Sequence, residues 1–124
     1  MRLLLDTQVY LWFLADSRKL SRKARGAIDS AERVFVSAAS IWEATIKTAL
    51  GKVDLAGDLV DGIAASGFAE LPVSARHGAS VATLARHHRD PFDRLLVAQA
   101  IYEPLNLLTA DSLLRRYSDL VLLV

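Results

Sequence analysis

The stretch Met1-Arg2-Leu3-Leu4-Leu5-Asp6-Thr7-Gln8-Val9-Tyr10-Leu11-Trp12 decides how the rest of the chain is read, because a run of three leucines stops at a carboxylate. An apolar run this short, bounded by Arg2 and by the polar pair Asp6-Thr7, predicts a strand buried on both faces, as in the middle of a mostly parallel sheet. Asp6 then falls at the strand's carboxyl end, the edge of an open α/β sheet where ligands and chemistry collect. A helix cap explains the same residue equally well, with Asp6 or Thr7 capping a helix that starts near Gln8. The two readings separate on whether other acids arrive at the same edge.

Outward from this strand, short apolar runs alternate with longer helical stretches, which is an α/β pattern. Residues 8–15 predict a helix with Val9, Trp12 and Phe13 inward, and Ser21 can cap a second helix ending near Ala31. Val34-Phe35-Val36 predicts the next strand. Ser37 ends it and opens a helix to Leu50, closed by Gly51. Ala39, Glu43, Ile46 and Leu50 share a face of that helix, so Glu43 is a carboxylate on a stripe that otherwise reads as buried. A helix from Asp58 to Ala65, a strand at residues 68–71 and a helix over residues 74–86 follow. Asp90-Pro91-Phe92-Asp93 then opens a helix with proline in its first turn and Phe92, Leu96, Val97, Ala100 and Ile101 inward. Leu107-Leu108 predicts a strand ending at Thr109-Ala110-Asp111, Leu113 and Leu114 sit on a short helix, and residues 120–124 form a last strand.

A chain of 124 residues can bury a core as one domain, residues 1–124, and 52% hydrophobic content makes it globular. Without cysteine there is no disulfide framework, no thiol nucleophile and no thiolate zinc site. The apolar region at the N-terminus is too short for a signal peptide, and no stretch approaches membrane-spanning length, so a cytoplasmic protein without membrane contact is expected. Net charge is +1, which by itself implies no polyanionic partner. Distribution says more: Arg18, Lys19, Arg22, Lys23 and Arg25 crowd one segment, Arg86, His87, His88, Arg89 and Arg94 another, and Arg115 with Arg116 a third. If four acids belong to an internal cluster, fifteen cationic side chains face ten remaining acids, a surface of +5 with moderate attraction for nucleic acid.

Four acids occupy matching topological positions: Asp6 after the first strand, Glu43 in the helix after the second, Asp93 at a helix N-terminus and Asp111 after a later strand. Right-handed crossovers would bring all four to one sheet edge. Structural roles compete, with Asp90 and Asp93 as cap and capping-box partner, Glu43 boxing with Ser40, and Asp111 as a cap. Asp90, just before proline, is where the cap reading is strongest. Two carboxylates roughly 6 Å apart repel by about 2–3 kcal/mol at an effective dielectric near 20. Such a cluster must take up protons, spread apart or bind a cation, and an all-oxygen donor set selects Mg²⁺ or Mn²⁺. A divalent ion so held supports phosphodiester hydrolysis.

These residues resemble the PIN-domain family, in particular the VapC-type toxins of bacterial toxin–antitoxin pairs. The resemblance spans nearly the whole chain and rests on Leu4-Leu5-Asp6-Thr7 with Leu11-Trp12, on Ser40-Ile41-Trp42-Glu43-Ala44 with Lys47 and Gly51-Lys52, on His88-Arg89-Asp90-Pro91-Phe92-Asp93-Arg94-Leu95-Leu96, and on Leu108-Thr109-Ala110-Asp111. It implies a three-layer α/β/α domain with a central, mostly parallel sheet of four or five strands, and a Mg²⁺- or Mn²⁺-dependent ribonuclease site. Carried over by position, the metal-binding and catalytic acids are Asp6, Glu43, Asp93 and Asp111, with Thr7, Lys47, Asp90 and Thr109 in support. A cognate antitoxin, a homodimer and an RNA substrate follow from the same resemblance. Gln8, where relatives carry His, and Leu84-Ala85, where a proline is usual, depart from the pattern without removing an acid.

His77, His87 and His88 are candidate general acids or phosphate contacts, although a solvated or core-satisfied role suits each better. Lys47, four residues after Glu43, has the favourable order for a helical ion pair, and reads as a support or phosphate contact and not as a catalyst. Trp12 and Trp42 could stack on bases, yet their helical spacing within apolar stripes favours core or interface. An aspartyl-phosphate phosphatase of the haloacid dehalogenase type would need a second Asp at position 8, which is Gln, and a receiver domain would need an acidic pair after the first strand. A catalytically idle PIN-like module that binds RNA or protein is the remaining alternative, and the acid quartet argues against it.

Overall fold

The computed structural model describes residues 1–50, 58–86 and 90–124. In chain order the elements are β1 (Arg2–Leu5), α1 (Thr7–Leu14), α2 (Arg22–Ser30), β2 (Arg33–Ser37), α3 (Ala38–Ala49), α4 (Leu59–Ala65), β3 (Ala69–Leu71), α5 (Ala75–Ser80), α6 (Pro91–Tyr102), β4 (Asn106–Thr109) and β5 (Val121–Leu123). Short 3-10 turns occupy Val81–Thr83 and Ser112–Arg116.

All five strands run parallel in the order β3-β2-β1-β4-β5. The three leucines of β1 are fully buried, as a central strand demands. They divide between two cores: Leu3 and Leu5 pack with Val9, Tyr10, Ala24, Ile28, Ala44 and Ile63, whereas Leu4 packs with Leu96, Val97, Ala100, Leu107 and Leu114. Helices therefore cover both faces of the sheet, giving the expected three-layer α/β/α architecture. Each buried leucine contributes about 2 to 3 kcal/mol of hydrophobic stabilisation. After β3 the chain returns to the other side of β1 to form β4, so the strand order reverses between β1 and β4. The carboxyl ends of those two strands flank the crevice in which doubly wound sheets bind ligands.

Several expectations need adjustment. The helix foreseen over residues 74–86 stops at Ser80, where hydroxyls compete with the helical ladder: Ser80 Oγ donates to His77 O at 2.8 Å and Thr83 Oγ1 to Ser80 O at 2.7 Å. In α1 the buried residues are Thr7, Val9, Tyr10 and Leu11, while Trp12 and Phe13 pack half-buried at the edge of the core. Leu50 is exposed, since it is the terminal cap of α3 rather than part of its stripe, and Gly51 lies outside the described residues. Ile101 is exposed as well. In its place α6 buries Leu96, Val97, Ala98, Gln99 and Ala100 without a break, because α3, α5 and β4 all pack against it. Arg94 is not a solvated charge: its guanidinium donates to Ala85 O at 2.9 Å and to Val81 O at 3.3 Å.

Candidate functional site

Asp6 follows β1 directly, and its backbone N–H continues the parallel ladder by donating to Leu108 O at 3.0 Å. One carboxylate oxygen, Oδ1, accepts from Val9 N at 2.7 Å and so caps α1. The other, Oδ2, accepts the hydroxyl of Thr109 at the end of β4, and Thr109 Oγ1 in turn accepts from Asp111 N at 3.0 Å. The cap and sheet-edge readings of Asp6 thus describe the two oxygens of a single side chain. Capping is shared: Asp90, where that reading is strongest in the sequence, caps α6, and Asp6 and Asp111 cap as well.

Glu43 reaches the same place from α3. It is 3% exposed, its Oε1 accepts from Thr7 Oγ1 at 2.6 Å, and its Oε2 pairs with Lys47 Nζ at 2.8 Å. Ser40 does not box with Glu43, since the cap of α3 is Ser37; its Oγ lies 2.9 Å from Thr7 Oγ1 and helps fix that hydroxyl. Ser40 went unnoticed in the sequence as a member of this network, though it stands one helical turn before Glu43 on the same face. Asp90 Oδ1 accepts from Phe92 N at 2.8 Å and Asp93 N at 3.2 Å, which caps α6 and seats Asp93 in its first turn. Asp111 caps the following 3-10 turn through Leu113 N at 2.9 Å.

Asp6, Thr7, Gln8, Glu43, Lys47, Asp90, Asp93 and Asp111 line one cleft of about 140 Å³. Thr109 stands behind it as the support of Asp6. The sequence profile of the PIN domain matches residues 3–120. The chain belongs to the PIN domain family. Solved structures agree at the level of the fold. VapBC2 of Rickettsia felis, bound to a DNA fragment from its promoter, aligns with a TM-score of 0.70 at 15% identity over 100% of this chain and 98% of that one. FitAcB of Neisseria gonorrhoeae aligns at 0.63 with 21% identity over 90% and 89% of the two chains, and a toxin–antitoxin complex of Klebsiella pneumoniae at 0.60 with 17% identity over 88% and 86%. No curated protein sequence matches.

Electrostatics in the PIN domain cleft follow from its burial. Desolvation pushes the Asp6 carboxyl up to about 6, against the lowering hydrogen bonds from Thr109 and Val9 and with a further push from the charges of Glu43 and Asp111. Burial works against the Lys47 ammonium, but the Glu43 hydrogen bond and the charges of Glu43, Asp90 and Asp93 outweigh it and hold its pKa above the ordinary lysine value. Among the described residues no three acidic or histidine side chains gather closely enough to form a ready cation shell. The donors facing the cleft are nonetheless carboxylate oxygens on four separate segments, a chemistry that suits a hard divalent ion.

Beside the cleft runs a groove of about 410 Å³ lined by Ile46, Leu50, Pro91 and Phe92, with Glu43, Lys47 and Asp90 shared between the two. Trp42 stands edge-to-face against Phe92, with ring centroids 5.2 Å apart, and is 63% exposed, so of the core and interface readings only the second remains open. His77 is satisfied away from the cleft: it is buried, accepts from Ser74 N at 3.0 Å and meets Glu103 Oε2 at 2.5 Å. His87, His88, Arg89 and Lys52 lie outside the described residues. No helix among the described residues is long and apolar enough to cross a membrane.

Proposed function

We propose that this PIN domain is a metal-dependent endoribonuclease that hydrolyses RNA phosphodiester bonds as the VapC-type toxin of a toxin–antitoxin pair. One observation carries the reading: carboxylates from four separate segments, Asp6, Glu43, Asp93 and Asp111, line a single cleft at the reversal point of a parallel sheet. In this reading they hold Mg²⁺ or Mn²⁺, which when bound lowers the pKa of water and offsets charge building on the phosphate. The chain's own groups do the positioning. Thr109 and Val9 N fix the two oxygens of Asp6, Thr7 fixes Glu43, and the Asp90 cap orients the first turn of α6 that carries Asp93. No side-chain nucleophile is required.

The test is RNA incubated with purified protein plus Mn²⁺, with chelator, and with Asp6→Asn. Cleavage confined to the first tube is the expected result; equal cleavage in all three overturns the proposal, and binding without cleavage in any tube favours the idle module. A small antitoxin is supported by the likeness of this fold to chains from toxin–antitoxin complexes, and a homodimer and a cytoplasmic setting complete the reading. The exposed Trp42 and the groove beside it supply surface for a partner.

A further inference from the structure

Both oxygens of the buried Glu43 carboxylate are engaged, and their two partners are held with unequal firmness. Thr7 is 5% exposed and belongs to the first turn of α1, so its short side chain, whose hydroxyl lies 2.6 Å from Oε1, is held by the packing around it. Lys47 approaches Oε2 at 2.8 Å on a flexible four-carbon stem, with 39% of its side chain exposed against 5% of its partner's. It also lines both the acidic cleft and the adjoining groove, so open volume lies on its other side. A buried anion whose cationic partner among the described residues is partly in solvent has an exchangeable counter-ion.

A divalent cation bound at Glu43 would stand within a few ångströms of the ammonium, where two positive charges in a partly desolvated cleft repel strongly. Both cannot occupy Oε2. We infer that Lys47 is the resident counter-ion of Glu43, that a divalent cation must displace it, and that the displaced ammonium turns into the groove to meet an RNA phosphate. The inference rests on the metal-ribonuclease reading and adds a coupling to it. The cation takes Glu43 from Lys47, the phosphate takes Lys47 from Glu43, and each event favours the other by the same factor. Lys47 is accordingly a positioning residue for the metal and a binding residue for the substrate.

Two measurements on the full chain test it without RNA cleavage. Free Mn²⁺ is followed by its electron paramagnetic resonance signal against the parent, Lys47→Met and Lys47→Gln, with unfolding temperatures measured alongside. Removing the competitor is expected to tighten Mn²⁺ binding by about fivefold or more, as loss of a close ion pair implies. The chain has only four lysines, Lys19, Lys23, Lys47 and Lys52. Methylation of their amines with ¹³C keeps the charge and gives few signals, and Lys47→Arg identifies the Lys47 signal by its loss. Mg²⁺ is expected to shift that signal most. If both folded variants bind Mn²⁺ no more tightly than the parent, or if the Lys47 signal stays fixed while Mg²⁺ saturates the protein, the counter-ion role is overturned and the metal reading stands. If no form of the protein binds Mn²⁺, the metal reading falls and the inference with it.

Discussion

Asp6 and Thr109 are 103 residues apart in sequence, yet the Thr109 hydroxyl donates directly to the Asp6 carboxylate across the boundary between β1 and β4. The bond joins the two strand ends that flank the sheet's reversal point, and Thr109 passes the link on to Asp111 N. It also opposes the burial that pushes the Asp6 carboxyl up to about 6. Thr109→Val keeps the branched shape and removes the donor, so Asp6 should hold its proton to still higher pH. The acidic limb of the pH–rate profile for RNA cleavage is expected to move up by about one unit. An unmoved limb would separate Thr109 from the ionisation of Asp6.

Asp6 also sets a stability cost with a definite sign. Its folded-state pKa of about 6 lies above the ordinary 3.8, so the folded protein holds this proton more tightly than the unfolded chain. That contribution is complete below about pH 4 and is lost as pH rises through 6, an effect of up to about 3 kcal/mol. Asp6→Asn, uncharged at every pH, should therefore unfold at higher urea than the parent at pH 7.5 in chelator, with the gap closing towards pH 4. Mg²⁺ should stabilise the parent and not the variant. Urea titrations at both pH values, with and without Mg²⁺, check both statements; a less stable variant at pH 7.5 would contradict the first.

Thr7 supports Glu43 from the neighbouring helix at 2.6 Å. Thr7→Val is expected to lower kcat/KM for RNA cleavage by roughly tenfold to a hundredfold, the range for losing a group that orients a ligand. Stability should fall by about 1 kcal/mol, a typical net value for one hydrogen bond. Steady-state kinetics beside a melting curve distinguish this from a folding defect, since loss of activity at temperatures where the variant stays folded isolates the orienting role.

Gly62 sits inside α4, where alanine ordinarily stabilises by about 1 kcal/mol. A Cβ there would lie 3.0 Å from Tyr10 Oη and 3.1 Å from Leu14 Cδ2. Tyr10 cannot withdraw, because its hydroxyl is buried and donates to Leu59 O at 2.7 Å. Gly62→Ala should thus be destabilising by about 1–2 kcal/mol despite its propensity. A raised melting temperature would show that α4 shifts freely over Tyr10.

What the sequence disclosed and what it withheld divide along contact distance. The caps at Ser21, Ser37 and Asp90 were legible because each side chain serves a backbone N–H two or three residues away. The triple leucine was legible because so short an apolar run fits a central strand. The four acids could be placed at strand and helix ends, which topology carries to one edge, but not their partners: Thr7 with Glu43, and Thr109 with Asp6, meet only after the sheet has formed. Periodicity left Trp42 between core and interface, since an apolar stripe does not say whether its neighbour covers it, and its exposure removes the core reading. In α5, short-range competition from Ser80 and Thr83 ended the helix where the 3.6-residue pattern continued.

The strand order has a further consequence for how such a chain is made. Its cleft draws on residues 6–8, 43–47, 90–93 and 111, so Asp6 leaves the ribosome long before Asp111. A nascent chain that has not yet released β4 lacks Thr109 and Asp111, and the carboxyl end of β1 has no neighbour on that side. The acidic cleft is therefore completed only once Asp111 has left the ribosome, and no shorter nascent chain carries the finished site.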